Sequence, residues 1–174
     1  LISSDPYLES MTSLATLAGC TEKIKFGMNA IVAPLRDPLI LAKQCATVDY
    51  LSGGRLLPMF GVGYPKAAEW KATGRSSEHR GSRSNEMFEL MTRLWNEEKV
   101  TFEGKYYQYF EAQISPRPVQ NPLPLWIGGS SKAAMRRTGK LGSGWIGGIA
   151  GPEEVSRVIK GIKEEAKKAG RKID

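Results

Sequence analysis

The sequence predicts an α/β fold in which helices cover the outside of a parallel sheet. After an initial helical segment, apolar segments of strand length alternate four times with segments of helix length, and helices in such an alternation connect parallel strands. The chain has 174 residues, of which 41% are hydrophobic and 25% are charged, as is ordinary for a globular protein with one core. We therefore expect one domain over residues 1–174.

The first helix and the first strand are predicted from residue spacing. Apolar residues at helical spacing predict a helix over 7–19, with Asp5 as its N-cap and Pro6 in its first turn. Residues 24–32 are apolar enough for a strand buried on both faces. Asn29 is polar within this strand, so its burial would require a hydrogen-bond partner from a ligand or a neighbouring strand.

The second helix and the second strand are bounded by residues with strong backbone preferences. Asp37 as N-cap and Pro38 in the first helical position predict the start of a helix, and the two glycines at 53–54 predict its end. A strand is predicted over 55–61, although Pro58 cannot donate a hydrogen bond to a sheet. A β-bulge near a ligand would reconcile Pro58 with this strand.

The later elements continue the alternation after one interruption. This is a hairpin and proline-rich insertion over about 99–122, which turns at residues 103–104 and packs its tyrosines onto the sheet. Arg83 and Glu86 are one helical turn apart and predict a surface ion pair. The other predicted elements are helices over 81–95, 131–141 and 152–169 and strands over 124–127 and 145–149.

The segment 126–131, Trp-Ile-Gly-Gly-Ser-Ser, joins a strand to a helix. Glycines allow the backbone to approach a ligand closely, and the free N–H groups at the positive end of a helix dipole attract anions. Spacing alone leaves two interpretations open, a phosphate site or a plain turn with a serine cap. The residues of the candidate phosphate site are Gly128, Gly129, Ser130 and Ser131, with added charge from Lys132 or Arg136.

A second group of candidate binding residues surrounds the end of the strand over 55–61. Ligand sites in parallel α/β folds lie beyond the carboxyl ends of strands. Gly61 and Gly63 would leave room for a flat ring, Tyr64 would supply a phenol or an aromatic wall, and Asn29 would bind from the neighbouring strand. The alternative is a loop built from turn residues.

The Gly-x-Gly-x-x-Gly pattern over 142–147 is not predicted to bind a dinucleotide. It follows a helix and leads into a strand, whereas the dinucleotide motif follows a strand and opens a helix. Gly142 is therefore expected to end the helix over 131–141.

Composition argues against several other kinds of site and partner. His79 is the single histidine, expected in a solvated loop, and Cys20 and Cys45 are far apart, so no metal site is predicted. Both cysteines are expected to be reduced core thiols of a cytoplasmic protein. No apolar segment is long enough to span a membrane. The net charge of +7 comes largely from the last helix, which lacks aromatic residues between its basic ones and is expected to face solvent rather than nucleic acid.

Eight segments together resemble the luciferase-like family of flavin- and deazaflavin-dependent oxidoreductases, in the same order and spacing and over nearly the whole chain. These segments are 36–43, 47–56, 61–63, 80–86, 102–107, 115–120, 126–131 and 142–145.

The resemblance implies a (β/α)8 barrel of the TIM type that binds FMN or coenzyme F420 at the carboxyl ends of its strands. It implies that the turn over 128–131 holds the cofactor phosphate, and that residues 27–30 lie beside the ring, often with an unusual peptide bond. It also implies a homodimer formed through the helices over 7–19 and 38–52. Four βα units cannot close such a barrel, which takes about 250 residues, so we expect an incomplete barrel and a longer chain.

The activity implied is oxidation or reduction of a small organic substrate, by hydride transfer or monooxygenation. The cofactor carries this chemistry, and F420 would restrict it to hydride transfer. Catalytic residues stay unassigned, because family members often place them on the first two strands, which this sequence does not contain. The alternative is a flavin-binding protein without turnover, or an inactive part of such a barrel.

Overall fold

The computed structural model describes residues 7–148 and 151–173 and has the α/β architecture that the sequence predicts. The helices are α1 (Ser10–Cys20), α2 (Pro38–Leu51), α3 (Ala68–Ala72), α4 (Arg80–Asn96), α5 (Lys132–Leu141) and α6 (Pro152–Lys168). The strands are β1 (Ile31–Val32), β2 (Met59–Gly61), β3 (Val100–Glu103), β4 (Gln108–Ala112), β5 (Trp126–Gly128) and β6 (Gly144–Ile146). None of the helices in these two stretches is both long and apolar enough to cross a membrane.

Four strands form a parallel sheet in the order β1-β2-β5-β6. Neighbouring strands of this sheet follow one another along the chain, except that the antiparallel hairpin β3–β4 comes between β2 and β5, after helices α3 and α4. Parallel strands that alternate with helices and pair in chain order are the arrangement of a TIM barrel. The fold class is confirmed, with four parallel strands of that barrel type and the hairpin as an insertion.

The predicted strand over 24–32 is wrong for most of its length. Phe26 bridges Leu56, and Ile31 pairs with Phe60. The first segment therefore has five residue steps between these two pairs, whereas the second segment has four. The extra residue prevents a continuous ladder, and only β1 remains as a regular strand. The expected burial on both faces is also wrong, because residues 24, 25, 29 and 30 are exposed.

The predicted strand over 55–61 shortens to β2, which begins directly after Pro58. The carbonyl of Pro58 accepts a hydrogen bond from the Trp126 amide at 2.9 Å, a contact that needs no donor from proline. A bulge was expected at Pro58. The extra residue is instead found in the neighbouring segment, between Phe26 and Ile31, which pairs with residues 56–60.

The other helices and strands begin and end within a few residues of their predicted bounds, and the structure contains one helix that was not predicted. Helix α1 begins at Ser10, because the Glu9 carboxylate caps it by accepting from the Thr12 amide at 2.8 Å. The predicted cap Asp5 and Pro6 lie outside the described residues, as does the predicted end of β6 at 149. The short helix α3 was not predicted.

Asp37 and Ser131 are the N-caps of α2 and α5, as predicted. The glycines at 53–54 follow α2 with positive φ angles, and Gly142 ends α5 ahead of β6. The Gly-x-Gly-x-x-Gly segment therefore has the helix-to-strand context that is wrong for a dinucleotide motif.

The main core lies between α2, α4 and the sheet. The Trp95 indole donates to the Ala42 carbonyl at 3.0 Å.

The two cysteines differ in their surroundings. Burial raises the pKa of the Cys45 thiol to about 12. The expectation of a core thiol is wrong for Cys20, which is exposed at the end of α1.

Arg55 ties the end of α1 to the start of the second strand segment. Its guanidinium is buried and lies 5.2 Å from the Phe26 ring centre. It donates to the carbonyls of Ala18, Thr21, Ile24 and Ser52 and to the hydroxyl of Thr21.

Arg55→Met is expected to lower the free energy of unfolding by about 3–5 kcal/mol, because it leaves the buried carbonyls of Ala18 and Ser52 without this donor and removes three further hydrogen bonds. Urea unfolding followed by circular dichroism measures this change. Arg75→Met is the control, since the Arg75 side chain is exposed. Equal stability of the two variants would contradict the role given to Arg55.

The predicted ion pair between Arg83 and Glu86 is wrong. The Glu86 carboxylate accepts from three backbone amides of the β3–β4 turn, at 3.1, 2.8 and 3.3 Å. Arg83 instead lies over the Trp70 ring, 6.0 Å from its centre. A side chain at Gly104 would collide with the Glu86 carboxylate, so the turn is closely fitted around it.

Glu86→Gln is expected to destabilise the protein by about 1–3 kcal/mol, because an amide oxygen replaces a charged acceptor of three hydrogen bonds. Thermal unfolding compared with Glu89→Gln, an exposed glutamate on the same helix, measures the effect. Equal melting temperatures for the two variants would show that the carboxylate does not hold the hairpin.

Candidate cofactor-binding site

A cleft of about 920 Å³ lies at the carboxyl ends of the parallel strands. It is bounded by the turn before β1, by the loops that follow β1, β2, β5 and β6, and by the first turns of α5 and α6. All eight of the predicted binding residues line it: Asn29, Gly61, Gly63, Tyr64, Gly128, Gly129, Ser130 and Ser131. The structure therefore brings the two predicted groups of residues together in one cavity.

The turn after β5 has a backbone shape that favours glycine. Gly129 has a φ of +109°, and a Cβ there would lie 3.3 Å from the Ala134 Cβ. The Gly129 carbonyl accepts from the Trp145 indole at 2.9 Å, which holds the turn against β6. The backbone is thereby fixed at the mouth of the cleft.

The first turn of α5 directs donors into the cleft. The Ser131 hydroxyl accepts from the Ala134 amide at 3.1 Å, so its own proton is free to be donated. Helix geometry leaves the amides of Lys132 and Ala133 without an acceptor inside the helix. Together with the helix dipole, these donors make a site suited to an anion.

The buried cation that lines the cleft is neither of the two that were predicted for this turn. Arg136 points away and pairs with Glu165 on α6 at 3.7 Å, and Lys132 is exposed. Arg137 is buried and lines the cleft, where burial lowers its pKa from the ordinary value. Helical spacing from the cap could have identified Arg137 as facing inward.

Arg137 is held by α4. Its Nε donates to the Asn85 Oδ1 at 2.7 Å, and its Nη2 donates to the Gly81 carbonyl at 3.0 Å. Both acceptors are uncharged oxygens, so they do not neutralise the positive charge of Arg137. Arg137 therefore adds to the positive potential of the α5 N-terminus.

The opposite side of the cleft follows β2. Gly63 has a φ of +74°, and a Cβ there would lie 3.1 Å from the Trp70 ring. Arg80 donates to the Gly63 carbonyl at 3.1 Å, and the Trp70 indole donates to the Tyr64 carbonyl at 2.7 Å. Neither Trp70 nor Arg80 was predicted as a site residue; the α3 segment that carries Trp70 has no strong helix signal, and Arg80 stands at the start of α4.

Asn29 and Tyr64 lie at the open edge of the cleft. Asn29 is exposed in a turn, so its predicted place within a strand is wrong, and the condition under which it would need a buried partner does not arise. The peptide bond between Asn29 and Ala30 is cis, the unusual bond that the family resemblance implies for this segment. The Tyr64 side chain is 84% exposed, so the described residues leave its phenol largely open to solvent.

Two carboxylates complete the polar lining. Glu69 lies on α3 and Glu154 lies in the first turn of α6. Neither was predicted as a site residue. The charged side chains lining the cleft are thus two arginines and two glutamates, among the residues described.

The geometry fits a flavin-type cofactor at both ends. Amide and hydroxyl donors and a buried arginine converge on the turn over 128–131, where a phosphate would be held. Ala30, Val32 and Gly61 also line the cleft and have no polar side chain, which suits a flat ring.

The model of the family described as luciferase-like monooxygenase matches residues 2–174. An F420-dependent glucose-6-phosphate dehydrogenase of Nocardia farcinica is 32% identical over 173 residues, with 95% of this chain and 51% of the relative covered.

Two solved structures are similar to this one at 26% identity, and each match covers 94% of this chain and 51% of the other. A monooxygenase of Streptomyces bottropensis has a TM-score of 0.84. An F420-dependent tetrahydromethanopterin reductase of Methanopyrus kandleri has a TM-score of 0.82.

The chain spans about half the length of these relatives. The matched part includes the four strands and the cleft at their carboxyl ends. With a family model matched over 2–174, the chain belongs to the luciferase-like monooxygenase family.

Proposed function

We propose that the protein is an oxidoreductase that binds FMN or F420 in this cleft and acts on a small organic substrate. The observation that carries the proposal is the convergence of all eight predicted binding residues on one cavity at the strand ends. The F420-dependent relatives support the choice of cofactor class.

The phosphate would be held by the Ser131 hydroxyl and by the amides of Lys132 and Ala133, with the charge of Arg137 behind them. The ring would lie against Ala30, which directly precedes β1, and Gly61, the last residue of β2. When bound, a flavin supplies hydride transfer or oxygen activation, whereas a deazaflavin supplies hydride transfer.

The protein would orient the cofactor and limit its contact with water. Trp70 is buried under the cleft wall and fixes the loop after β2 through the Tyr64 carbonyl. Arg80 fixes the same loop through the Gly63 carbonyl, so two side chains hold the backbone on which a ring would rest.

The visible spectrum of the purified protein tests this proposal. A flavin or deazaflavin band, retained through gel filtration or regained on adding the cofactor, is the expected result. Oxygen consumption on reduction would favour monooxygenation, and its absence with F420 bound would favour a dehydrogenase or reductase. A protein that binds neither cofactor would overturn the proposal, and one that binds without turnover would be a flavin-binding protein.

We also propose a cytoplasmic homodimer. Both cysteines are free thiols, which suits a reducing compartment. Helices α1 and α2 pack together and expose apolar side chains, among them Leu17, Ile40 and Leu51. Ile40 and Leu51 are about three turns apart, so they share one face of α2.

Leu51→Glu is expected to convert the dimer into a monomer, because it places a charge in an apolar contact. Sedimentation velocity of this variant and of the wild type measures the change. A wild-type protein that sediments as a monomer would contradict the proposed dimer.

A further inference from the structure

We propose that Asn85 on α4 is a positioning residue for the cofactor phosphate, because its neutral amide oxygen fixes the Arg137 guanidinium at the cleft wall without neutralising it. This inference rests on the proposed function, since it concerns the phosphate end of the same cleft. It assigns a role to a residue that does not itself line the cleft.

Arg137 uses part of its donor set to contact α4. Its Nε donates to the Asn85 Oδ1 at 2.7 Å, and its Nη2 donates to the Gly81 carbonyl at 3.0 Å. These two nitrogens form one edge of the planar guanidinium, so α4 fixes both the position and the tilt of the group. Nη1 forms no hydrogen bond within residues 7–148 and 151–173, and Arg137 lines the cleft. Nη1 is therefore the donor that Arg137 can offer to a bound anion.

No carboxylate forms a salt bridge with Arg137 in the described part of the chain. The salt bridges around the phosphate turn join Arg136 to Glu165 and Arg157 to Glu154. Burial lowers the pKa of Arg137 from its ordinary value, as expected where a guanidinium loses water without gaining a carboxylate. A buried cation in this state is stabilised by an anion that binds beside it.

Asn85 stands on a part of α4 that is firmly placed. Met87 and Phe88, just after it on the helix, are buried in the main core. The first turn of the same helix holds the loop at the ring end of the cleft, because Arg80 donates to the Gly63 carbonyl at 3.1 Å. Helix α4 thus fixes the phosphate end and the ring end of the proposed site relative to each other.

The neutral amide at position 85 suits this role better than a carboxylate of the same shape would. In Asn85→Asp, the carboxylate would also accept from the Arg137 Nε, and this charge-assisted hydrogen bond would hold the guanidinium at least as firmly. The same carboxylate would reduce the positive potential that attracts a phosphate. Protein stability and phosphate affinity are therefore expected to respond differently to this substitution.

Titration of the wild type, Asn85→Asp and Asn85→Leu with two pairs of ligands tests this inference. FMN is compared with riboflavin, and F420 with the deazaflavin alcohol that lacks its phosphate. The dissociation constant of the phosphate-free form divided by that of the cofactor measures the contribution of the phosphate.

We expect Asn85→Asp to reduce the phosphate contribution about tenfold, while binding of the phosphate-free form is unchanged. Its melting temperature is expected to equal or exceed that of the wild type. Asn85→Leu is expected to reduce the phosphate contribution about threefold and to lower the melting temperature, because the guanidinium keeps its charge but loses an acceptor. The matched control is Asn96→Asp, which adds the same charge at the exposed far end of α4.

A phosphate contribution in Asn85→Asp equal to that in Asn96→Asp would overturn the inference. Equal losses of affinity for the cofactor and for its phosphate-free form would also overturn it, because a merely structural role weakens both. Failure of the wild-type protein to bind either cofactor would overturn the proposed function itself.

Discussion

Gly129→Asp abolishes binding of the phosphate-bearing cofactor, with a loss in affinity of at least about a hundredfold, while the fold persists. The substitution places a carboxylate where the phosphate is proposed to lie. Two unit charges about 4 Å apart near a protein surface repel by about 4 kcal/mol at an effective dielectric constant of about 20. Repulsion of this size exceeds the binding free energy that the first-turn amides of α5 are expected to contribute to holding the phosphate.

Gly129→Asn is the matched control for this variant. Both side chains impose the backbone cost of a φ of +109° and the contact with Ala134, and they have nearly the same shape. The strain costs about 1–3 kcal/mol in each case. The difference in affinity between the two variants therefore measures the charge alone.

Isothermal titration of wild type, Gly129→Asn and Gly129→Asp with FMN and with F420 gives the three affinities. We expect the asparagine variant to retain most of the binding. Equal affinities for the aspartate and asparagine variants would remove the turn over 128–131 from the site.

Arg137→Met weakens cofactor binding about tenfold or more and also lowers the free energy of unfolding by about 2–3 kcal/mol. The binding loss comes from the missing cation beside the α5 N-terminus. The stability loss comes from the Gly81 carbonyl and the Asn85 side chain, which lose their donors on α5.

Arg136→Met is the neighbouring control, because Arg136 is exposed and pairs weakly with Glu165 across the surface. Cofactor titration and urea unfolding of both variants separate the two effects. Arg137→Lys is expected to keep part of the affinity and to lose stability, since lysine retains the charge but not the planar fork. An affinity of Arg137→Met equal to that of Arg136→Met would contradict the role given to Arg137.

Local signals predicted the parts of the fold that depend on neighbours along the chain. Asp37 with Pro38 marked the start of α2, and Ser131 marked the start of α5, because capping requires only residues within one turn. The same local logic identified the glycine-rich turn after β5 and rejected the Gly-x-Gly-x-x-Gly pattern.

Features that depend on distant partners were predicted poorly. The strand over 24–32 failed because its register against Leu56 and Phe60 includes an extra residue, which composition does not reveal. Glu86 was assigned to the wrong partner, since the amides that donate to its carboxylate lie on a hairpin about twenty residues further along the chain.

In the candidate site, too, residues set by local sequence were predicted and residues set by distant packing were not. Its glycines and serines were found from the strand-to-helix pattern, and the structure places them around one cleft. Arg137 was missed in favour of Arg136, because the packing of α5 against α4 decides which of two adjacent arginines faces inward. Trp70 was missed because α3 is a short helix held by a tertiary contact with the loop after β2.

A crystal structure of the protein with bound FMN or F420 tests the cofactor site most directly. The phosphate is expected beside the turn over 128–131, with its oxygens within about 3.2 Å of the Ala133 amide nitrogen or the Ser131 hydroxyl. A cofactor whose phosphate lies away from the first turn of α5, or which occupies another surface of the protein, would contradict this assignment.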